Sequence, residues 1–231
     1  MSHRSRLQST EKRSWWAAAP LLVASLLLLL PSGADAQWVF GVQGGFPGFT
    51  VAGRAPEDTS FGRRYRGGAA AVLGYRFGSS VVLRTEPGFV QKGAAILFEV
   101  DGVEEPVDSL GLDLDYVSVP VVVQVFTPGG RGFVTTGVEL GFLNSATVAT
   151  KSGSDEVDVK SLLAGEDLSW MFGAGGLVRR SSPEVGLELR YSHSLRKVFE
   201  GTPGSSGLPD ALRSSGITLL ATVSWSPGGD R

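Results

Sequence analysis

The chain has 231 residues, 32 of them glycine, with 2 methionines, 2 histidines and no cysteine. The missing cysteine removes disulfide scaffolds, thiolate zinc sites and cysteine nucleophiles together, and His3 and His193 are too few for a multi-histidine metal centre. A formal charge of −2 argues against a nucleic-acid partner, which needs a basic face, and 42% hydrophobic against 19% charged residues is too apolar for disorder.

The first 36 residues read as an export signal. Arg4, Arg6, Lys12 and Arg13 make a basic start, an apolar run follows from Trp15 to Leu30, and Ala34-Asp35-Ala36 supplies the small-x-small pattern of a cleavage site. Cleavage is expected between Ala36 and Gln37. An uncleaved anchor would need roughly 20 apolar residues, and this run is shorter and broken by Pro20. Residues 37–231 then form one domain.

That domain shows period-two alternation in eight stretches: Gln37–Phe46, Arg66–Phe77, Ser80–Lys92, Asp113–Phe126, Gly132–Asn144, Asp167–Arg179, Glu184–Leu195 and Arg213–Trp225. In Glu184–Leu195, Val185, Leu187, Leu189 and Tyr191 share one face while Gly186, Glu188, Arg190 and Ser192 share the other. Long and short connections alternate between the stretches. Pro47–Tyr65, Gly93–Leu112, Ser145–Glu166 and Arg196–Leu212 are long; Gly78-Ser79, Thr127–Arg131 and Arg180–Pro183 are short. Outer-membrane barrels have this pattern, with short periplasmic turns and long outer loops. The expected fold is therefore all-β: an eight-stranded antiparallel up-and-down transmembrane β-barrel preceded by a cleavable signal peptide.

Each strand offers one uncharged face for lipid, which matters because a lipid-facing Arg or Lys costs ~2–4 kcal/mol at the midplane. Aromatic residues gather near strand ends, with Trp38, Tyr75, Phe77, Phe126, Phe133 and Trp225 toward the turns and Phe46, Phe89, Phe142, Trp170 and Tyr191 toward the loops. Pro87 and Pro120 fall inside strands and should each mark a bulge or a lost ladder bond. The registers that keep charge out of lipid turn Arg76, Arg84, Glu86, Glu139, Glu188 and Arg190 inward. These three arginines and three glutamates are expected to pair across a lumen that eight strands leave just wide enough for side chains.

Leu83-Arg84-Thr85-Glu86-Pro87-Gly88-Phe89-Val90-Gln91-Lys92-Gly93, Tyr116-Val117-Ser118-Val119-Pro120-Val121-Val122 and Gly186-Leu187-Glu188-Leu189-Arg190-Tyr191, with Ser194-Leu195 after it, carry a resemblance. As a set they resemble the small outer-membrane β-barrel family called "porin family" or PorT-like. The chain departs from it at Ser118, where the family prefers an acidic residue, and in running six residues past Trp225. The resemblance implies a place in the cell outer membrane, contact with its lipid, and recognition by barrel-insertion machinery through the last strand ending at Trp225. It implies no cofactor and names no partner for the outer loops.

Three functions of different kind fit such a chain: a structural or loop-binding barrel, a narrow pore for small solutes or ions, and a lipid hydrolase like the lipid A deacylases. A hydrolase needs a hydroxyl, a base and a carboxylate within reach. In Ser192-His193-Ser194 the base and the hydroxyls should face opposite sides of a strand, and the residue two past His193 is Leu195. Gly173-Ala174-Gly175-Gly176 has no following helix to hold a phosphate and is expected to let neighbouring groups approach closely. The acidic run Asp101, Glu104, Glu105 and Asp108, with Asp113 and Asp115, fits no calcium-loop spacing and reads as solvated. The expected function is non-enzymatic, with no catalytic, cofactor or metal residues.

Overall fold

A computed structural model of the chain describes residues 37–52, 59–98, 108–150, 156–197 and 213–227. The expected signal segment, with Ala36, lies outside the described residues, as do Asp101, Glu104 and Glu105. The strands are β1 (Gln37–Ala52), β2 (Thr59–Tyr65), β3 (Gly68–Phe77), β4 (Val81–Thr85), β5 (Gly88–Phe98), β6 (Asp108–Phe126), β7 (Gly132–Thr150), β8 (Glu156–Asp158), β9 (Glu166–Arg179), β10 (Glu184–Ser194) and β11 (Arg213–Trp225). Among the described residues one 3-10 turn, Lys160–Leu162, lies between β8 and β9.

All pairings are antiparallel, and they close into a ring of eleven strands. β1 joins β11 on one side and both β2 and β3 on the other. β3 pairs with β4 and β5, which both pair with β6. From there the ladder runs β6–β7–β9–β10–β11, with β8 continuing along β7 above β9.

Eleven strands stand where eight were expected, and the difference has local causes. Pro87 has no N–H to donate, and the stretch Ser80–Lys92 is interrupted at Glu86-Pro87, giving β4 and β5. The gap is bridged by Ala71 N–H donating to the Pro87 carbonyl and Glu86 N–H to the Pro120 carbonyl. Pro120 itself leaves β6 unbroken; the irregularity in that strand is a bulge at Asp115/Tyr116. β2 and β8 form inside segments expected as loops. β6 and β7 each run 19 residues, about twice the 9–11 that cross a bilayer. Toward the loop end the outward positions include Asp113 and Asp115, so the alternation that marks a strand in the sequence fades there while the ladder continues.

At the other end the chain turns tightly. Between β6 and β7, Gly129 and Gly130 take φ of 91° and 66°, the left-handed region open to glycine, and Thr127 N–H donates to the Gly132 carbonyl at 2.8 Å.

The alternation has a physical outcome on each face. Trp38, Phe46, Phe89, Phe142, Trp170, Tyr191 and Trp225 are exposed on the outer face, which carries charge only toward the far ends of β2 and β6, at Arg63, Asp113 and Asp115, among the outward mid-strand positions described. Phe126 and Phe133 correct the expected belt. Both turn inward and pack edge to face at 5.6 Å with Val39 and Val82, closing the turn end of the interior. An aromatic pair satisfied by that contact has no reason to sit at an interface. A second apolar cluster, Leu114, Tyr116, Leu143 and Ala146, lies toward the opposite end. Charged side chains occupy the interior between the two.

Candidate functional site

The interior charge is organised in three groups. Every second residue of a strand points inward, so Arg84 and Glu86 leave the wall together at the β4–β5 break, and Glu188 and Arg190 do so from β10. The four meet across the interior and are all at least nine-tenths buried. Arg84 lies 2.6 Å from Glu86 and 2.9 Å from Glu188. Arg190 donates to Glu86 at 2.6 and 3.1 Å and to Glu188 at 2.7 and 3.0 Å. Neutral donors and acceptors complete the shell. Gln43 Nε2 donates to Glu86, Arg84 donates to Gln124 Oε1, and Thr135 Oγ1 donates to Glu188 at 2.6 Å. Two cations against two carboxylates leave this group neutral, with charge-assisted bonds to most polar atoms.

The other two arginine and glutamate positions do not join it. Arg76 pairs with Glu184 at 2.7 Å near the turn end and lies 5.6 Å from the Phe126 ring centroid. Glu139 belongs to a third group, built on Lys92, whose Nζ donates to Glu139 at 2.7 Å and to Asp167 at 2.9 Å. Lys92 is 1% exposed and sits over the rings of Phe49 and Tyr116 at 5.2 and 5.1 Å. Asp167 also accepts from the hydroxyls of Ser169 and Ser194.

Lys92 and Asp167 were missed because each stands at the edge of its expected strand, as last and first residue. The signal was present: counting in twos from Glu86 reaches Lys92, and from Gly173 reaches Asp167.

Gly173 and Gly175 of the Gly173–Gly176 stretch both face the interior, and Gly173 makes the central group possible. A methyl group on residue 173 would stand 2.6 Å from both Glu188 Oε1 and Thr135 Oγ1 and 3.1 Å from the Leu189 carbonyl oxygen. Gly173→Ala is therefore expected to lower stability by roughly 1–3 kcal/mol, the usual cost of overpacking. Urea unfolding of the refolded protein in detergent checks it; an unchanged midpoint would mean the group has slack.

The residues weighed as a hydrolase point apart. Ser192 and Ser194 face the interior, whereas His193 is only partly buried and stacks on Tyr191 with centroids 6.4 Å apart. Asp113 is engaged by Arg66 at 2.6 Å and Arg64 at 3.3 Å, and Asp115 accepts from Gln91 and Ser145. Among the described residues no three acidic or histidine side chains are grouped to hold a metal.

A family model described as "Outer membrane protein beta-barrel domain" matches residues 31–200. Solved structures similar to this chain include Ail, the attachment invasion locus protein of Yersinia pestis, at 14% identity and a TM-score of 0.42, covering 82% of this chain and 99% of that one. Neisserial surface protein A is also 14% identical, with a TM-score of 0.45 and coverage of 80% and 96%. No curated protein matches the sequence.

Proposed function

The chain belongs to the outer membrane protein β-barrel domain family and is a protein of the cell outer membrane, and on that footing we propose that it is a closed, non-enzymatic barrel whose role is structural or binding at its outer rim. Segments that run on from one another along the same neighbours, β2 with β3, β4 with β5 and β8 with β9, count as single passes. The eleven strands then make eight, with the short turns in the periplasm and the long connections outside the cell. Residues 1–36 are a signal peptide removed between Ala36 and Gln37. Outer-membrane lipid contacts the uncharged belt of the outer face, and Trp225 ends the strand offered to the insertion machinery.

The observation that carries the closed-barrel reading is the filling of the interior. Two ion-pair groups, around Arg190 and around Lys92, stack between the Phe126–Phe133 pair and the Tyr116 cluster. Eight strands leave room for side chains and little else. Reading the chain as a hydrolase would need His193 and a serine on one face, and the observed strand puts them on two.

Planar-bilayer recording tests closure. The wild type should show no stable conductance, and Glu139→Ala, which removes one carboxylate from Lys92, should admit ions. Steady, large single-channel currents from the wild type would sink the reading and favour the narrow pore.

A further inference from the structure

We propose that a cavity in the interior, beside Glu139 and between the two buried ion-pair groups, is a binding site for one monovalent metal cation of the sodium class. The cavity measures about 60 Å³. That is space for roughly four water-sized bodies at ~15 Å³ each, well short of the ~150 Å³ that admits benzene. An organic ligand does not fit; a small ion with a water or two does.

The charge of the surroundings selects the sign. Arg84, Arg190 and Lys92 face four carboxylates, Glu86, Glu188, Glu139 and Asp167. One negative charge is left over in a poorly hydrated interior, where an unmatched ion is costly. The excess lies in the Lys92 group, because the Arg84–Arg190 group is balanced. A divalent ion would replace one excess charge by another of opposite sign, so a single positive charge fits best.

The ligands are those a hard cation takes. Glu139 lines the cavity, and of its two oxygens only Oε1 is met by a donor, Lys92, among the described residues. Ser118 and Ser192 line the same space. Independently of the charge count, Ser192 points to an occupant. It is 6% exposed, yet its Oγ has no hydrogen-bond partner. A buried hydroxyl left without a partner is costly, and a cation in the cavity accepts its lone pair. Gln43, Glu86 and Arg190 line the cavity as well but are already bonded to one another, Thr218 adds a further hydroxyl, and Pro47 and Met171 add apolar wall.

The inference rests on the closed interior of the proposed function, and the test separates the two. The full mature protein is refolded in detergent, and its unfolding temperature is followed as sodium chloride replaces choline chloride at constant ionic strength. A bound ion gives a saturable rise with sodium and none with choline. Ser192→Ala should shift the half-saturating sodium concentration upward several-fold, and Glu139→Gln should abolish the response. Line broadening of the sodium-23 resonance by the wild type, absent with Glu139→Gln, reads occupancy directly. If Glu139→Gln does not fold, the Ser192→Ala shift and the wild-type resonance decide. The site is overturned by equal behaviour in sodium and choline, by a sodium response that both variants retain, or by stability that ignores cations and follows pH alone, which would place a proton on the spare charge. Large single-channel currents together with a saturable sodium response would overturn the closure and leave the site standing.

Discussion

Arg190→Ala should destabilise the folded protein by about 3–5 kcal/mol, the range for removing one partner of a buried ion pair. Arg190 makes four short contacts to Glu86 and Glu188, and its loss leaves those two carboxylates sharing Arg84 alone. The size of the effect comes from what remains buried rather than from the bonds themselves. Hence Arg190→Ala combined with Glu86→Gln should recover part of the loss, since it removes a charge that has lost its partner. Urea unfolding of the refolded variants in lipid vesicles checks both. An Arg190→Ala loss below about 1 kcal/mol would mean water reaches the group and screens it.

Leu189→Arg and Val157→Arg form a matched pair, because both side chains are 57% exposed. In water the two substitutions would be equally harmless. Leu189 sits in the middle of β10 between Ala174 and Leu219, on the uncharged belt, whereas Val157 lies on β8, beyond the end of β9. Leu189→Arg should cost about 2–4 kcal/mol in vesicles, as for a cation near the bilayer midplane, and Val157→Arg less than about 0.5 kcal/mol, as for an ordinary surface site. Unfolding midpoints measured in the same lipid give the comparison, and equal costs would remove the lipid from around β10.

Much of this was legible because lipid imposes a rule that water does not. A strand with lipid on one side and packed polar groups on the other must alternate strictly, and Val185–Tyr191 does so residue by residue. Where the rule stops, the reading stopped. Ser145–Thr150 has no clean alternation, yet it continues the β6–β7 ladder to Thr150. The inward set was found wherever a charge sat mid-strand, as at Arg84, Glu86, Glu188 and Arg190. Lys92 and Asp167 stood at strand limits, where inside and loop look alike. Which inward charges meet was not legible at all. Arg190 reaches Glu86, 104 positions away, through the curvature of the wall, and no spacing in the chain encodes that distance. Phe126 and Phe133 escaped for a related reason: an aromatic near a strand end serves an interface or a plug equally well until its register is fixed.

The seam between β1 and β11 has a consequence for how the protein comes into being. It pairs Phe40 with Trp225 and continues through Ala52 with Arg213, joining strands from opposite ends of the domain. Contacts so distant along the chain carry a heavy loop-closure entropy and form slowly, while a membrane tolerates no open edge of unpaired N–H and C=O groups. Gln43 ties the interior to this step: it accepts from Thr222 across the seam at 3.0 Å and donates to Glu86. Thr222 thus holds the Gln43 amide that serves the central cluster, and that bond forms only when β1 and β11 meet. A chain arrested before β1 and β11 zip together has an unpaired backbone edge along each of them and lacks the Thr222 bond that orients Gln43.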